Sequence, residues 1–156
     1  MNKSEIRKKI LELRKRNYSK RIKIDSKSII NVIRKKKFNK KIIGAYYAYN
    51  YEVNIIHVLK KFEKLNYKIS LPKIGKNFQM NFHPWSSKDP LIINKYGIPE
   101  PISKEIKYPD ILLVPMVAFD KNFNRVGYGG GFYDRYIKKL KKSKKIITIG
   151  LAYPFQ

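Results

Sequence analysis

Apolar positions along the chain switch between two periods. Over residues 3 to 17, Ile6, Ile10 and Leu13 recur at helical spacing, which predicts an amphipathic helix with Lys3, Arg7 and Arg14 off the apolar stripe. Residues from about 19 to 37 predict a second helix, with Ser19 as its N-cap and Ile22, Ile29, Ile30 and Ile33 turned inward. The stretch KIIGAYYAY, residues 41 to 49, is short and rich in strand formers, so it predicts the first core strand. Val53, Ile56, Leu59 and Phe62 return to the helical period over 53 to 65, with Glu52 at the helix start, where a carboxylate suits the dipole. Tyr67 to Leu71 reads as a strand stopped by Pro72, and 78 to 82 as a half-buried strand with Phe78, Met80 and Phe82 inward. The stretch from 83 to 109 holds five of the eight prolines and predicts mostly loop. A strand over 111 to 114, a helix over 131 to 141 and a strand over 146 to 151 complete the reading.

Strands alternating with helices imply an α/β fold, a three-layer α/β/α arrangement with a mostly parallel sheet and helices on both faces. No internal repeat or linker interrupts the 156 residues, which suit one domain with a real core. Ligands of such sheets bind where loops leave the carboxyl ends of the strands. The turn around Tyr49 to Glu52 and the loop after Val114 can both reach that edge, so two distant segments are expected to share one pocket.

Charge changes this picture less than its size suggests. The formal net charge of +25 invites a nucleic-acid reading, because a dense basic surface releases counterions on any polyanion. Yet 29 of the 36 basic residues are Lys, spread along the chain, and Ile, Asn and Tyr are also abundant, which resembles compositional drift rather than a designed groove. No RNA- or DNA-binding signature accompanies them, so the charge predicts a solvated face and no specific nucleic acid. There is no cysteine to form a disulfide or a thiolate site. No apolar run approaches a membrane span, and the basic start, interleaved with Glu5 and Glu12, lacks a signal peptide's apolar centre. The expectation is a cytoplasmic monomer with no membrane partner.

Residues 115 to 136, PMVAFDKNFNRVGYGGGFYDRY, carry the chemistry. A strand feeds a polar turn, then Gly127, Gly129, Gly130 and Gly131, then a helix. Glycine tolerates positive φ and brings no Cβ, so several backbone N–H groups can face one anion, with the helix N-terminus behind them. Arg125 offers a forked cation for phosphate oxygens, and Asp134 offers a carboxylate for Mg²⁺ or a cap for the helix start. The motif is neither G-x-x-x-x-G-K-[ST] nor G-x-G-x-x-G. The glycines alone leave two readings open, a phosphate cradle and a tight strand-to-helix turn.

Beyond that loop the residues resemble a known family. The segment 115 to 136 is similar to the signature of 5-formyltetrahydrofolate cyclo-ligases, usually close to VPGVAFD…RLGYGGGYYDR. Lys3-Ser-Glu-Ile-Arg7 resembles the family's opening Lys-x-x-x-Arg, and Tyr49 to Val53 its Tyr…Glu-Val segment. Leu71-Pro72, Met80-Asn81-Phe82, Trp85, Gly97-Ile-Pro-Glu-Pro101 and Gly150-Leu-Ala follow in the family's order, so the resemblance covers nearly the whole chain.

The resemblance implies ATP-dependent conversion of 5-formyltetrahydrofolate to 5,10-methenyltetrahydrofolate, with ATP as co-substrate and Mg²⁺ as metal. It implies that Lys3, Arg7, Arg125, Gly127, Tyr128, Gly129, Gly130, Gly131 and Tyr133 serve ATP, that Arg125 and Tyr133 lie at the reacting centre, and that Asp134 takes the metal. Glu52, Trp85 and Phe132 would contact the folate. Met116 stands where the family often has Gly, and Phe132 where it often has Tyr. Family chains also usually run past the strand that here precedes Gln156, through a loop carrying His-Asp and a last strand, so the resemblance implies a single domain over 1 to 156 without that segment. A basic polyanion-binding protein and a nucleotide- or folate-binding relic without turnover are the other two readings.

Overall fold

A computed structural model of the chain describes residues 2–18 and 22–156. Helix α1 (Lys3–Asn17) starts in a capping box: the Asn2 carboxamide oxygen accepts from the Ser4 and Glu5 amides, and Glu5 accepts from the Asn2 amide. Helix α2 (Ser26–Lys35) is shorter than the period suggested, because Asp25 caps it by accepting from the Lys27 and Ser28 amides. Ser19 lies outside the described residues, and Ile22 is exposed rather than inward. Ile29, Ile30 and Ile33 do turn into the core.

Strand β1 (Ile42–Gly44) keeps only the start of the expected nine-residue run. It is clamped between two parallel neighbours, and a Cβ on Gly44 would lie 2.6 Å from Pro109 and 2.7 Å from Leu112, so the close packing requires glycine. From Ala45 the chain leaves the sheet. Helix α3 (Ile56–Lys64) begins four residues after Glu52, with Asn54 accepting from the Ile56 amide, so Glu52 is not a helix-start residue. Strand β2 (Lys68–Ile74) runs straight through Pro72. Its pairing with β1 ends at Ser70, so Pro72 has a strand on one side only and its missing donor breaks no second ladder.

Strand β3 (Met80–Pro84) is antiparallel to β2 and points Met80 and Phe82 inward. Phe78 sits in a one-turn 3₁₀ segment (Lys76–Phe78) and is 61% exposed, against the expectation. The proline-rich stretch, expected to be loop, contains a hairpin of β4 (Leu91–Ile93) and β5 (Pro99–Pro101). Strand β6 (Ile111–Pro115) is wholly buried. A two-residue pair, β7 (Ala118–Phe119) and β8 (Arg125–Val126), closes around Asp120, which accepts from the Asn122 and Asn124 amides. Helix α4 (Phe132–Ser143) and strand β9 (Ile147–Leu151) complete the described chain.

The main sheet has the order β3-β2-β1-β6-β9, parallel except for β3. Alternation along β6 sends Ile111 and Leu113 to the side of α2 and α3, and Leu112 and Val114 to the side of α4. Helices therefore cover both faces, as the three-layer expectation requires. From β1 the chain proceeds to β2 on one side, while β6 lies on the other. That switch point opens a crevice at the carboxyl edge between β1 and β6.

Candidate active site

A cleft of about 470 Å³ occupies this edge. One wall is the segment after β8, where Gly129 and Gly131 have φ of +108° and +66°. Gly131 is the N-cap of α4 and brings no side chain to its first-turn amides, leaving those donors to the cleft. A Cβ on Gly127 would lie 2.9 Å from the Arg125 guanidinium, and one on Gly130 would lie 2.7 Å from the Phe132 ring. The loop is glycine-rich partly because its own neighbours fold back over it.

Cations of two elements meet this loop. Arg7 Nε donates to the Gly127 carbonyl at 2.7 Å, and Lys3, one turn earlier on the same helix face, lines the cleft. Arg125 donates from Nη1 to the Pro115 carbonyl at 3.1 Å and from Nη2 to Asp134 Oδ1 at 2.8 Å, while its guanidinium lies 5.6 Å from the Tyr133 ring centre. Asp134 is 64% exposed at the side chain, so the pair is readily exchanged for another anion. Among the described residues no three His, Cys, Asp or Glu side chains converge on a metal position. Asp134 Oδ2 is the one carboxylate oxygen of the loop wall left clear of Arg125, which fits a Mg²⁺ held mainly by phosphates and water.

The opposite wall is the turn after β1. Glu52 is 7% exposed, and its Oε2 accepts from the Tyr49 amide at 2.9 Å. Burial raises its pKa to about 7, against the pull of that amide, the Arg14 charge and the Tyr128 hydroxyl. Tyr133, on the first turn of α4, has a buried hydroxyl with no hydrogen-bond partner among the described residues, and burial plus Glu52 push its pKa up, so it remains a neutral donor. Phe132 lines the same wall.

Trp85 does not join them. It is 7% exposed, bonded from Nε1 to the Asp89 carbonyl at 3.2 Å, and packed in the core beneath α2 and α3. Its amide donates to the Ile69 carbonyl near the start of β2, at the sheet edge opposite the cleft, because β3 runs antiparallel. The β4–β5 hairpin instead supplies the third wall through Asn94, Tyr96 and Ile98. Of these the Gly97-Ile-Pro-Glu-Pro101 run contains only Ile98, and nothing in its pattern told that a hairpin would fold over the cleft.

Arg14 is the other residue missed. Its side chain is fully buried although the residue lies off the apolar stripe of the helix. Eleven residues is close to three helical turns, so Lys3 and Arg14 share a helix face, and that spacing was the available signal.

A mixed, mostly parallel α/β sheet covered by helices on both faces, with a basic, glycine-lined cleft at its switch point, defines the class: an open-sheet α/β domain with its cleft at the carboxyl edge. The family model described as the 5-formyltetrahydrofolate cyclo-ligase family matches residues 1–156, and the chain belongs to that family. It is 34% identical over 124 residues to the 5-formyltetrahydrofolate cyclo-ligase of Haemophilus influenzae, covering 74% of this chain and 65% of that one. It is 33% identical over 117 residues to the Mycoplasma genitalium protein of the same name, covering 74% and 61%. The matched stretch thus spans less than two thirds of either relative. The NMR structure of Aquifex aeolicus 5,10-methenyltetrahydrofolate synthetase superposes with a TM-score of 0.75 at 31% identity, over 100% of this chain and 80% of that one.

Proposed function

We propose that the chain, as a single domain acting as a monomer, catalyses the ATP-dependent closure of 5-formyltetrahydrofolate to 5,10-methenyltetrahydrofolate, releasing ADP and phosphate. The observation that carries this reading is one cleft with chemically opposite walls: a glycine loop with Arg7 and Arg125 facing a buried acid, Glu52, whose pKa lies near neutrality. The names of the relatives supply 5-formyltetrahydrofolate and the methenyl product, and ATP comes from the family resemblance.

An N-formyl oxygen is a poor leaving group. In the proposed reaction that oxygen attacks the γ-phosphorus, the bond to ADP breaks, and the formyl carbon becomes activated. N10 then adds to that carbon, the C–O bond breaks to release phosphate, and the N10 proton is lost. The amides of 129–134, with Lys3, Arg7 and Arg125, hold the phosphates and offset the charge that moves onto the leaving ADP. Phosphates compete with Asp134 for Arg125, and Asp134 would hold Mg²⁺, which when bound neutralises phosphate charge. The unpartnered Tyr133 hydroxyl donates to an oxygen at the reacting centre, and Glu52 accepts from the folate. Phe132 and Tyr96 supply apolar walls, while Trp85 is left to the core.

The test is the absorbance of methenyl product with purified protein, 5-formyltetrahydrofolate, ATP and Mg²⁺. Product that requires both substrates is expected. Binding of both without product in this assay would favour the relic reading, and binding of neither would end the folate reading.

A further inference from the structure

Arg14 heads the fully buried side chains of the described residues by size, at 0% exposure. A buried guanidinium is costly unless its donors are satisfied, and among the described residues no carboxylate lies within ion-pair distance of this one. Nη1 has no hydrogen-bond partner among the described residues, so the burial is offset only through Nε and Nη2. On the turn after β1 their partners are carbonyls: Nη2 donates to Asn50 at 2.5 Å and Tyr49 at 3.4 Å, and Nε donates to Tyr51 at 3.3 Å. Asn50 and Tyr51 have φ of +48° and +60°, a left-handed pair without glycine, which costs free energy and persists only where surroundings enforce it. The Arg14 fork is that enforcement. The turn it holds is the one that aims Glu52 into the cleft, with Glu52 bonded back to the Tyr49 amide.

The same guanidinium reaches the other wall. Nη2 also donates to the Tyr128 hydroxyl at 2.8 Å, and the charge stacks 5.6 Å from the Tyr128 ring centre. Two turns earlier on α1, Arg7 grips the Gly127 carbonyl. Helix α1 is therefore a bar bolted to the glycine loop at two points and to the Glu52 turn at a third.

Resting on the reaction proposed above, we infer that Arg14 is a positioning residue that makes the glycine loop and the Glu52 turn move as one unit, so that nucleotide on the loop strengthens folate binding at Glu52. By linkage the folate strengthens nucleotide binding by the same factor. The groups facing Glu52 are Arg14 from α1, Tyr46 after β1, Tyr128 from the glycine loop, Tyr133 from α4 and Tyr153 from the C-terminal segment. Of these, Arg14 and Tyr128 favour the ionised carboxylate.

Calorimetric titration of 5-formyltetrahydrofolate, with and without a non-hydrolysable ATP analogue and Mg²⁺, measures the coupling. In the wild-type protein the analogue should tighten folate about fivefold or more. Arg14→Lys keeps the charge but cannot fork, and Tyr128→Phe removes only the hydroxyl; both should reduce the factor to about one. In Tyr128→Phe the acid limb of folate binding should also move to higher pH, a change that a merely structural contact would not make. Circular dichroism and melting verify the fold, and if Arg14→Lys does not fold, Tyr128→Phe decides alone. Wild-type protein that binds neither ligand overturns the folate reading and this inference with it. Wild-type protein that binds both without coupling, or folded variants that keep wild-type coupling, overturn the inference alone.

Discussion

At the scale of single residues, Glu52 concentrates the opposing forces of the site. A raised carboxylate pKa means that the folded state prefers the protonated acid, the reverse of an exposed or ion-paired carboxylate. The stability it contributes is complete below the ordinary value of 4.5 and is lost as pH rises through about 7. Glu52→Gln, which mimics the protonated form, should therefore melt close to wild type near pH 5. It should gain on wild type towards pH 8.5, by at most about 3 kcal/mol. Catalysis should move the other way. If the ionised oxygen accepts from the folate, kcat/KM should fall by about one to two orders of magnitude, the worth of a charged hydrogen bond. The wild-type acid limb near pH 7 should be absent from the variant's profile. Thermal melts and pH–rate profiles on one preparation check both, and wild-type kinetics in Glu52→Gln would return the residue to a purely local turn role.

At the scale of elements, the β8–glycine loop–α4 unit is self-packed before any ligand arrives. Arg125→Ala removes, besides the pair with the exposed Asp134 carboxylate, worth about 1 kcal/mol or less, a bond to the Pro115 carbonyl and the contact with the Tyr133 ring, so melting should fall moderately. Nucleotide affinity should fall by about 1.5–3 kcal/mol if the guanidinium transfers to phosphate, with folate affinity less affected. Gly130→Val pushes on the Phe132 ring, which lines the cleft, and should likewise weaken nucleotide more than folate. Unchanged nucleotide affinity in both folded variants would remove phosphate from this loop. The loop was legible because positive φ and the absence of Cβ are local demands that only glycine meets. The bounds of α2, β1 and β2 were less legible. Asp25 capping overrode an apolar period that had seemed to begin earlier. Pro72 was read as a stop because a sequence does not reveal that β2 loses its β1 neighbour after Ser70.

At the scale of the whole molecule, the charge of +25 and the cleft make separate demands. Binding of RNA or DNA by the dispersed lysines, where it occurs, should be indifferent to sequence and should weaken by orders of magnitude between about 50 and 200 mM salt. Folate and nucleotide, if they bind in the cleft as proposed, meet a few enclosed groups and should respond far less. Filter binding and calorimetry over one salt series compare them, and tight sequence-selective binding at physiological salt would promote a nucleic-acid role. No helix among the described residues is long and apolar enough to cross a membrane.

The sequence by itself determined the alternation of strands and helices, the glycine loop with its Arg and Asp, and the pairing of Lys3 with Arg7 on one helix face. Each follows from backbone period or local φ, which neighbours in the chain fix. Only the tertiary structure decided that Arg14 is buried, that Trp85 belongs to the core at the far edge of the sheet, that a hairpin covers the cleft, and that Glu52 titrates near neutrality. Desolvation and field are sums over groups brought from α1, the β1 turn, the glycine loop and the C-terminal segment. No window of the sequence contains that sum until the sheet has assembled it.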